Sequence, residues 1–332
     1  MEHAQTKIGA AEFAQYAKCL MLGKGDLLQA QNIAQGAGIF QRVTSVIKGA
    51  VAVGSTTDST WASSLYDNRV MAEAFAASLR GLSAFDTIAA ASWRAPLATR
   101  IAATVTAATG SVVAEGAPMP VSKMGFAATT LAPHRVVALC AVSAELLRGP
   151  FAERFLDAEL RGAVATASDA AFVTAIATDA SSSATAGTGS ANALKDIRTL
   201  LDKVNAPGAV PFLILGSTNA NALATADGTP FAKCAPTGGE VAGVPYIVSA
   251  AAPTKAVAVD ARSLLTGDDL VTLDSSGEAT LQMDSAPDNP ATAATTLVSL
   301  WQENLMGLLA SRMIGFEVIR PAGVAVVTGA AW

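Results

Sequence analysis

Histidine, the side chain best suited to moving protons near neutral pH, occurs only as His3 and His134. A Ser-His-Asp or Cys-His machine needs an imidazole within hydrogen-bond reach of a nucleophile. Neither histidine lies near a serine or cysteine in a recognisable motif. His134 reads instead as a cap on a strand edge. Gly216-Ser217 follows an apolar run as a hydrolase nucleophile elbow does, yet no glycine precedes Gly216 at the required spacing and no histidine follows it. Ser217 is therefore predicted to cap a helix. Gly187-Thr188-Gly189 opens like a dinucleotide loop, but the third glycine is missing and no strand leads into it. Asp268, Asp269 and Asp274 lack the regular spacing of a calcium loop and read as solvated. Cys19, Cys140 and Cys234 are odd in number, far apart and outside any metal spacing, which makes them small buried hydrophobes in a reducing compartment. The reading is of a chain that is not an enzyme, with no catalytic residue, metal ligand or cofactor.

The bulk composition points away from a free-standing monomer. Charged residues are 15% of the 332 and aromatics 5%, with 51% hydrophobic, whereas an ordinary soluble domain carries roughly 25% charged residues. So much uncharged surface suits an interface, and obligate self-association is expected; drift in an alanine-rich, high-GC sequence accounts for the composition equally well. The length is about twice that of a usual domain, which leaves one large domain with excursions or two joined ones. The longest charge-free stretch, from Val204 to Ala226, is broken by Asn205, Pro207, Gly208, Pro211 and Gly216, groups that hydrocarbon does not tolerate. No membrane association is expected. Nor is export, since Glu2 stands where a secretory signal needs positive charge. A net charge of -5 without any Lys or Arg run excludes sequence-specific attraction to nucleic acid.

Along the chain, residues 10–50 are helical in pattern and broken at Gly23 to Gly25, and 51–59 form a small, flexible arm. A helix is predicted over 66–82. Residues 100–143 read as a long β-hairpin in which Val136, Ala138, Cys140 and Val142 share one face of the return strand. Such a hairpin buries little apolar area on its own and must lean on something else. Gly149-Pro150 opens the clearest helix, running to about Thr178, with Phe151, Phe155, Leu160, Val164, Phe172 and Ile176 on its stripe. The serine- and glycine-rich stretch 180–190 has the composition of a mobile surface loop. Thereafter come a helix near 193–205, a buried strand 211–215, a helix from Ser217 or Thr218, and strands at 256–260, 270–273 and 279–283, the last after a turn over 274–277. The segment 297–319 is ambiguous between helix and strand, and 324–327 is a final strand. The class is α+β.

Two segments carry a family resemblance. Glu115-Gly116-Ala117-Pro118-Met119-Pro120-Val121-Ser122-Lys123, Phe126, Leu131-Ala132-Pro133 and Val142-Ser143-Ala144-Glu145-Leu146-Leu147-Arg148 are similar to the extended loop and spine-helix entrance of the Hong Kong 97-like major capsid proteins of tailed phages. Ser299-Leu300-Trp301-Gln302 and Arg320-Pro321-Ala322-Gly323 through Gly329 resemble that family's carboxy-terminal return. The resemblance implies an amino-terminal arm (1–60), a peripheral helix segment (61–98), an extended loop (99–143), spine helix and peripheral domain (144–192), an axial domain (193–288) and a return through the peripheral domain (289–332). It implies a subunit that self-assembles through pentamers and hexamers into the icosahedral shell of the virion. Assembly would take place in the bacterial cytoplasm, with portal, scaffolding or protease and decoration proteins as partners, around double-stranded DNA that is not read by sequence. Glu115, Pro118, Met119, Pro120, Lys123, Phe126, Arg148, Arg154, Asn304 and Arg320 are the implied inter-subunit contacts.

Some members of the family weld their shells through a loop lysine, an asparagine and an assisting glutamate. Here these positions fall on Met119, Asn304 and Ser311, so no weld is expected. The amino-terminal scaffolding segment of many members is expected to be absent, very short or already removed. The alternative within the same fold is an encapsulin-type nanocompartment shell. A small-molecule hydrolase, the alternative from another class, lacks its histidine.

Overall fold

The computed structural model describes residues 10–24, 26–36, 78–106, 111–113, 119–121, 125–149, 152–204, 208–269 and 271–332. The arm at 51–59 and nearly all of the predicted helix 66–82 lie outside them; the described end of the latter is a 3-10 turn, Leu79–Gly81. The chain is α+β, and it divides into two compact units.

The first unit comprises residues up to Leu82, Val136–Val164 and Leu270–Arg312. Helices α1 (Ala10–Leu22) and α2 (Leu27–Gly36) are separated at Gly23, as the glycine break predicts. In α1, Ala17, Leu20 and Met21 are buried, the spacing of one helical face, and this helix packs on α2, on the strand 272–276 and on the short helix 144–148. The return strand 133–143 buries Val136 and Val142 and exposes Val137 and Leu139, so its predicted inward face is correct. Cys140, on that face, is only half-buried, unlike Cys19.

The second unit comprises Ser83–Arg135, Ala165–Asp269 and Met313–Trp332. Its centre is a six-stranded sheet: strands Ser181–Ala184, Val324–Thr328, Lys255–Asp260, Pro211–Leu215, Val244–Val248 and Gly239–Val241, in that order across the sheet. Leu213 and Leu215, Ala256 and Ala258, and Ala325 and Val327 point to one face, where Ala193, Ile197, Leu200 and Val204 of helix Ser190–Val204 cover them. Ile214, Val257 and Val326 fill the other face. Two-sided burial accounts for the unbroken apolar runs in these strands.

In chain order the helices after α2 are α3 (Ala84–Ala89), α4 (Ala144–Arg148), α5 (Ala152–Asp179), α6 (Ser190–Val204) and α7 (Ser217–Ala224). The strands are β1 (Trp93–Arg94), β2 (Arg100–Thr106), β3 (Gly125–Thr130), β4 (Pro133–Ser143), β5 (Ser181–Ala184), β6 (Pro211–Leu215), β7 (Gly239–Val241) and β8 (Val244–Val248). They continue with β9 (Lys255–Asp260), β10 (Leu264–Asp268), β11 (Thr272–Ser276), β12 (Thr280–Leu281), β13 (Val298–Ser299), β14 (Leu305–Val318) and β15 (Val324–Thr328). The 28 residues of α5 make a rod about 40 Å long at 1.5 Å per residue.

Several sequence expectations are corrected. The 180–190 stretch is not all loop, because β5 pairs in parallel with β15 from Ser181↔Ala325 to Ala184↔Thr328. Lys203 Nζ also donates to Ser182 O at 3.2 Å and Ser183 Oγ at 2.5 Å. Composition reports solvation, whereas this strand is held by backbone pairing to a distant partner. Phe155 is 45% exposed, and Leu156 takes its place among the buried residues, since the stripe follows Ala152, Leu156, Leu160 and Val164 at intervals of four. Ser217 does not cap α7: Gly216 holds the cap position without a side-chain hydrogen bond, and a Cβ there would lie 2.5 Å from Ala252 O. The predicted turn at 274–277 is mostly strand β11, paired from Thr272↔Ser311 to Ser276↔Gly307. The ambiguous tail resolves into the 14-residue strand β14, and β10, which pattern alone does not reveal, joins it from Leu264↔Val318 to Asp268↔Ile314.

Candidate assembly interface

The extended loop begins as an antiparallel pair, β2 with β3, registered from Arg100↔Thr130 to Thr106↔Gly125 with a shift between Thr104 and Thr106. Its base is closed by two backbone bonds, Ala98 N–H to Leu131 O and Leu131 N–H to Thr99 O, both 3.0 Å. Beneath it, Gly267 of β10 and Gly315 of β14 are direct partners in register. A Cβ on Gly267 would come within 2.6 Å of Ala95 O, and one on Gly315 within 2.6 Å of Leu97 Cδ2. The paired glycines thus open the slot in which Leu97 and the fully buried Leu131 sit. A glycine inside a strand signals such close approach, and that signal was present in Thr-Gly-Asp and Ile-Gly-Phe. Thr129 Oγ1 further donates to Glu317 Oε1 at 2.9 Å.

Behind the base lies an aromatic cluster. Phe85, Phe172 and Phe316 meet edge to face with centroids 5.4 to 6.1 Å apart. His134 stacks on Phe316 at 4.7 Å and 3°; it is a platform contact within β4 rather than an edge cap. Asp169 of α5, only 2% exposed, accepts hydrogen bonds from Ser83 Oγ, Ala84 N–H, Phe85 N–H and Ser249 Oγ at 2.7 to 3.1 Å. The residue goes unnoticed in the sequence because a lone aspartate in a helix carries no signal of burial.

The braced base carries an exposed, apolar tip. Val112 and Val121 are fully exposed, and Met119 is 85% exposed. Pro120 beside it is exposed as well. Glu115, Pro118 and Lys123 lie outside the described residues, as do the side chains of Phe126 and Arg154. Arg148, the last residue of α4, and Arg320 are exposed. Asn304 is exposed with a φ of 53°, and its carbonyl accepts the Ala144 N–H at 3.0 Å, which ties the turn before β14 to the first residue of α4.

Reaction chemistry is scarce among the described residues. No group of three or more His, Cys, Asp or Glu is placed to hold a metal ion, and no helix is long and apolar enough to cross a membrane. Asp268 pairs with Arg94 at 3.6 Å. Burial, and then Glu159, push the Cys140 thiol up; burial also raises that of Cys234, which is half-buried rather than fully so. Neither is an activated nucleophile.

A braced loop base, an apolar tip and the scarcity of reaction chemistry define a structural, interface-forming subunit. Residues 77–329 match the model of the Phage capsid family, and the chain belongs to that family. A capsid polyprotein of Pseudomonas phage PAJU2 is 33% identical over 363 residues, covering 96% of this chain and 54% of that protein. The chain therefore spans about half the length of the curated relative it matches. It is also similar to a solved structure from Gordonia phage Cozz, with 17% identity, a TM-score of 0.48 and coverage of 74% and 86% of the two chains. A capsid of a native GTA particle gives 14% identity, a TM-score of 0.48 and coverage of 74% and 91%. Family and curated relative alike favour a phage capsid over a nanocompartment.

Proposed function

We propose that this chain is the major capsid subunit of a tailed phage or prophage, closing with copies of itself into an icosahedral, Hong Kong 97-like head shell around double-stranded DNA. The observation that carries the reading is the loop tip: Val112, Met119 and Val121 stand almost entirely in water on a firmly braced base. Apolar surface of that kind is covered in the working state, and many modest contacts per subunit act together in a closed shell. The ten contact residues are proposed to lie at or near these junctions. Pentamers and hexamers are the intermediate rings, with 193–288 the axial domain nearest their centres and 144–192 with 289–332 the peripheral domain. Portal, scaffolding or protease and decoration proteins are its partners during assembly in the host cytoplasm, DNA is contacted without regard to sequence, and the subunit catalyses nothing.

Negative-stain microscopy of the purified chain tests this. Polyhedral shells or capsomer rings support it; a folded monomer that persists at high concentration overturns it.

A further inference from the structure

Between Arg262 and Arg312 the chain carries no Lys or Arg. The middle of that stretch, in the first unit, is the ribbon formed by β12 and β13, with Thr280 opposite Ser299 and Leu281 opposite Val298. Side chains alternate along a strand. Leu281, Val298 and Leu300 therefore share the inner face, where Leu300 is fully buried and lies 3.1 Å from the position of a Cβ on Gly307. Leu297, Ser299 and Trp301 share the outer face, and there Leu297 is 59% and Trp301 72% exposed. Glu278, Asp284, Asp288 and Glu303 are exposed around it, and among the described residues none of the four meets a Lys or Arg.

The loop joining the two strands holds its own shape. Gln282 Nε2 donates to Asp288 O at 3.2 Å, Asp288 N–H donates to Gln282 Oε1 at 2.7 Å, and Thr295 Oγ1 donates to Asp288 Oδ2 at 2.6 Å. A preorganised face loses little entropy on docking, and a tryptophan supplies its apolar anchor.

The occupant follows from charge. Two such ribbons facing each other would bring carboxylates together, which disfavours self-contact. The extended loop has the opposite balance: Arg100, Lys123 and Arg135 against Glu115, with Arg100 and Arg135 exposed and Met119 and Val121 offering apolar surface. We infer that the outer face of the β12–β13 ribbon, centred on Leu297 and Trp301 and rimmed by carboxylates, receives the basic extended loop of a second copy of this chain. The inference rests on the shell-forming function proposed above and names the receiving surface.

The test places a photo-crosslinking p-benzoylphenylalanine at Trp301 of the full chain, assembles it with isotope-labelled wild-type copies, irradiates the shells and maps the adducts by mass spectrometry. Adducts joining this position to residues 100–135 of a labelled copy are expected. Shells whose adducts fall elsewhere, or that give none, overturn the inference and leave the shell function intact; failure of the wild-type chain to form shells sinks both. Independently, Glu278→Lys with Glu303→Lys should cause loss of closed shells. Adding Arg100→Glu with Arg135→Glu should restore them, and an unaltered yield in the first variant or no recovery in the second counts against the ribbon.

Discussion

Ser83 and Asp169 form a two-step cap: Ser83 Oγ accepts the Asp86 N–H at 3.3 Å at the start of α3 and donates its own proton to Asp169 Oδ1 at 2.7 Å. With Ala84, Phe85 and Ser249 also donating, this acid of α5 fixes α3 beside the aromatic cluster behind the loop base. Charge-assisted bonds of this kind are stronger than neutral ones.

Asp169→Ala leaves four donors without an acceptor, and each unsatisfied buried group costs about 1–3 kcal/mol. Denaturant titration of unassembled subunits should show a loss of about 3 kcal/mol or more. Asp169→Asn, which keeps one acceptor oxygen, should lose less; equal stability of all three forms would contradict the role assigned to this carboxylate.

Trp332 is clasped to the second unit. Its Nε1 donates to Asp196 Oδ2 at 2.8 Å, and Asp196 also accepts from Thr185 Oγ1 and Ala186 N–H. Asp196→Ala should cost about 2 kcal/mol and make tryptophan fluorescence more accessible to acrylamide. Unchanged quenching would show that the ring is held by packing alone.

Two glycines should respond oppositely to alanine. Gly162 is exposed within α5 with nothing within 4 Å of its Cβ position, so Gly162→Ala should stabilise by about 0.5–1 kcal/mol. Gly216→Ala meets Ala252 O at 2.5 Å and Pro253 O at 2.9 Å and should destabilise by about 1–3 kcal/mol. Thermal denaturation of the two variants reads both signs.

Burial, reinforced by Glu159, raises the Cys140 thiol, so less thiolate is present at any given pH than for an ordinary cysteine. Alkylation of unassembled subunits should be slow at neutral pH, and its midpoint should lie on the alkaline side of that of a free thiol. Glu159→Gln should move the midpoint partway back. A midpoint at or below the ordinary value would refute this electrostatic account.

Because Met119 has no amine to offer Asn304, denaturing electrophoresis of assembled particles should give single-chain bands. Covalent ladders would put Lys123 first under suspicion.

Local pattern was enough to find α5, α6, β6, β9 and β15, since periodicity and punctuation by glycine and proline act over neighbouring residues. It also carried the family, through the proline-bearing loop motif and the carboxy-terminal return. The contact residues were legible only as motif positions: Met119, Pro120, Arg148, Asn304 and Arg320 prove exposed, and nothing in their spacing tells which surface of another copy they meet.

Other features depend on residues far apart in the chain. That serines 181–183 form a strand is decided by Ala325–Val327. That Leu156 rather than Phe155 is buried is decided by what lies against each side of the helix, and that Asp169 is an internal cap by Ser83 and Ser249. Gly267 and Gly315 become a slot only once their strands are in register. Propensity and hydrophobic period are properties of adjacent residues, but register, edge pairing and the satisfaction of a buried acid are free energies of contact between distant ones, so folding alone settles them.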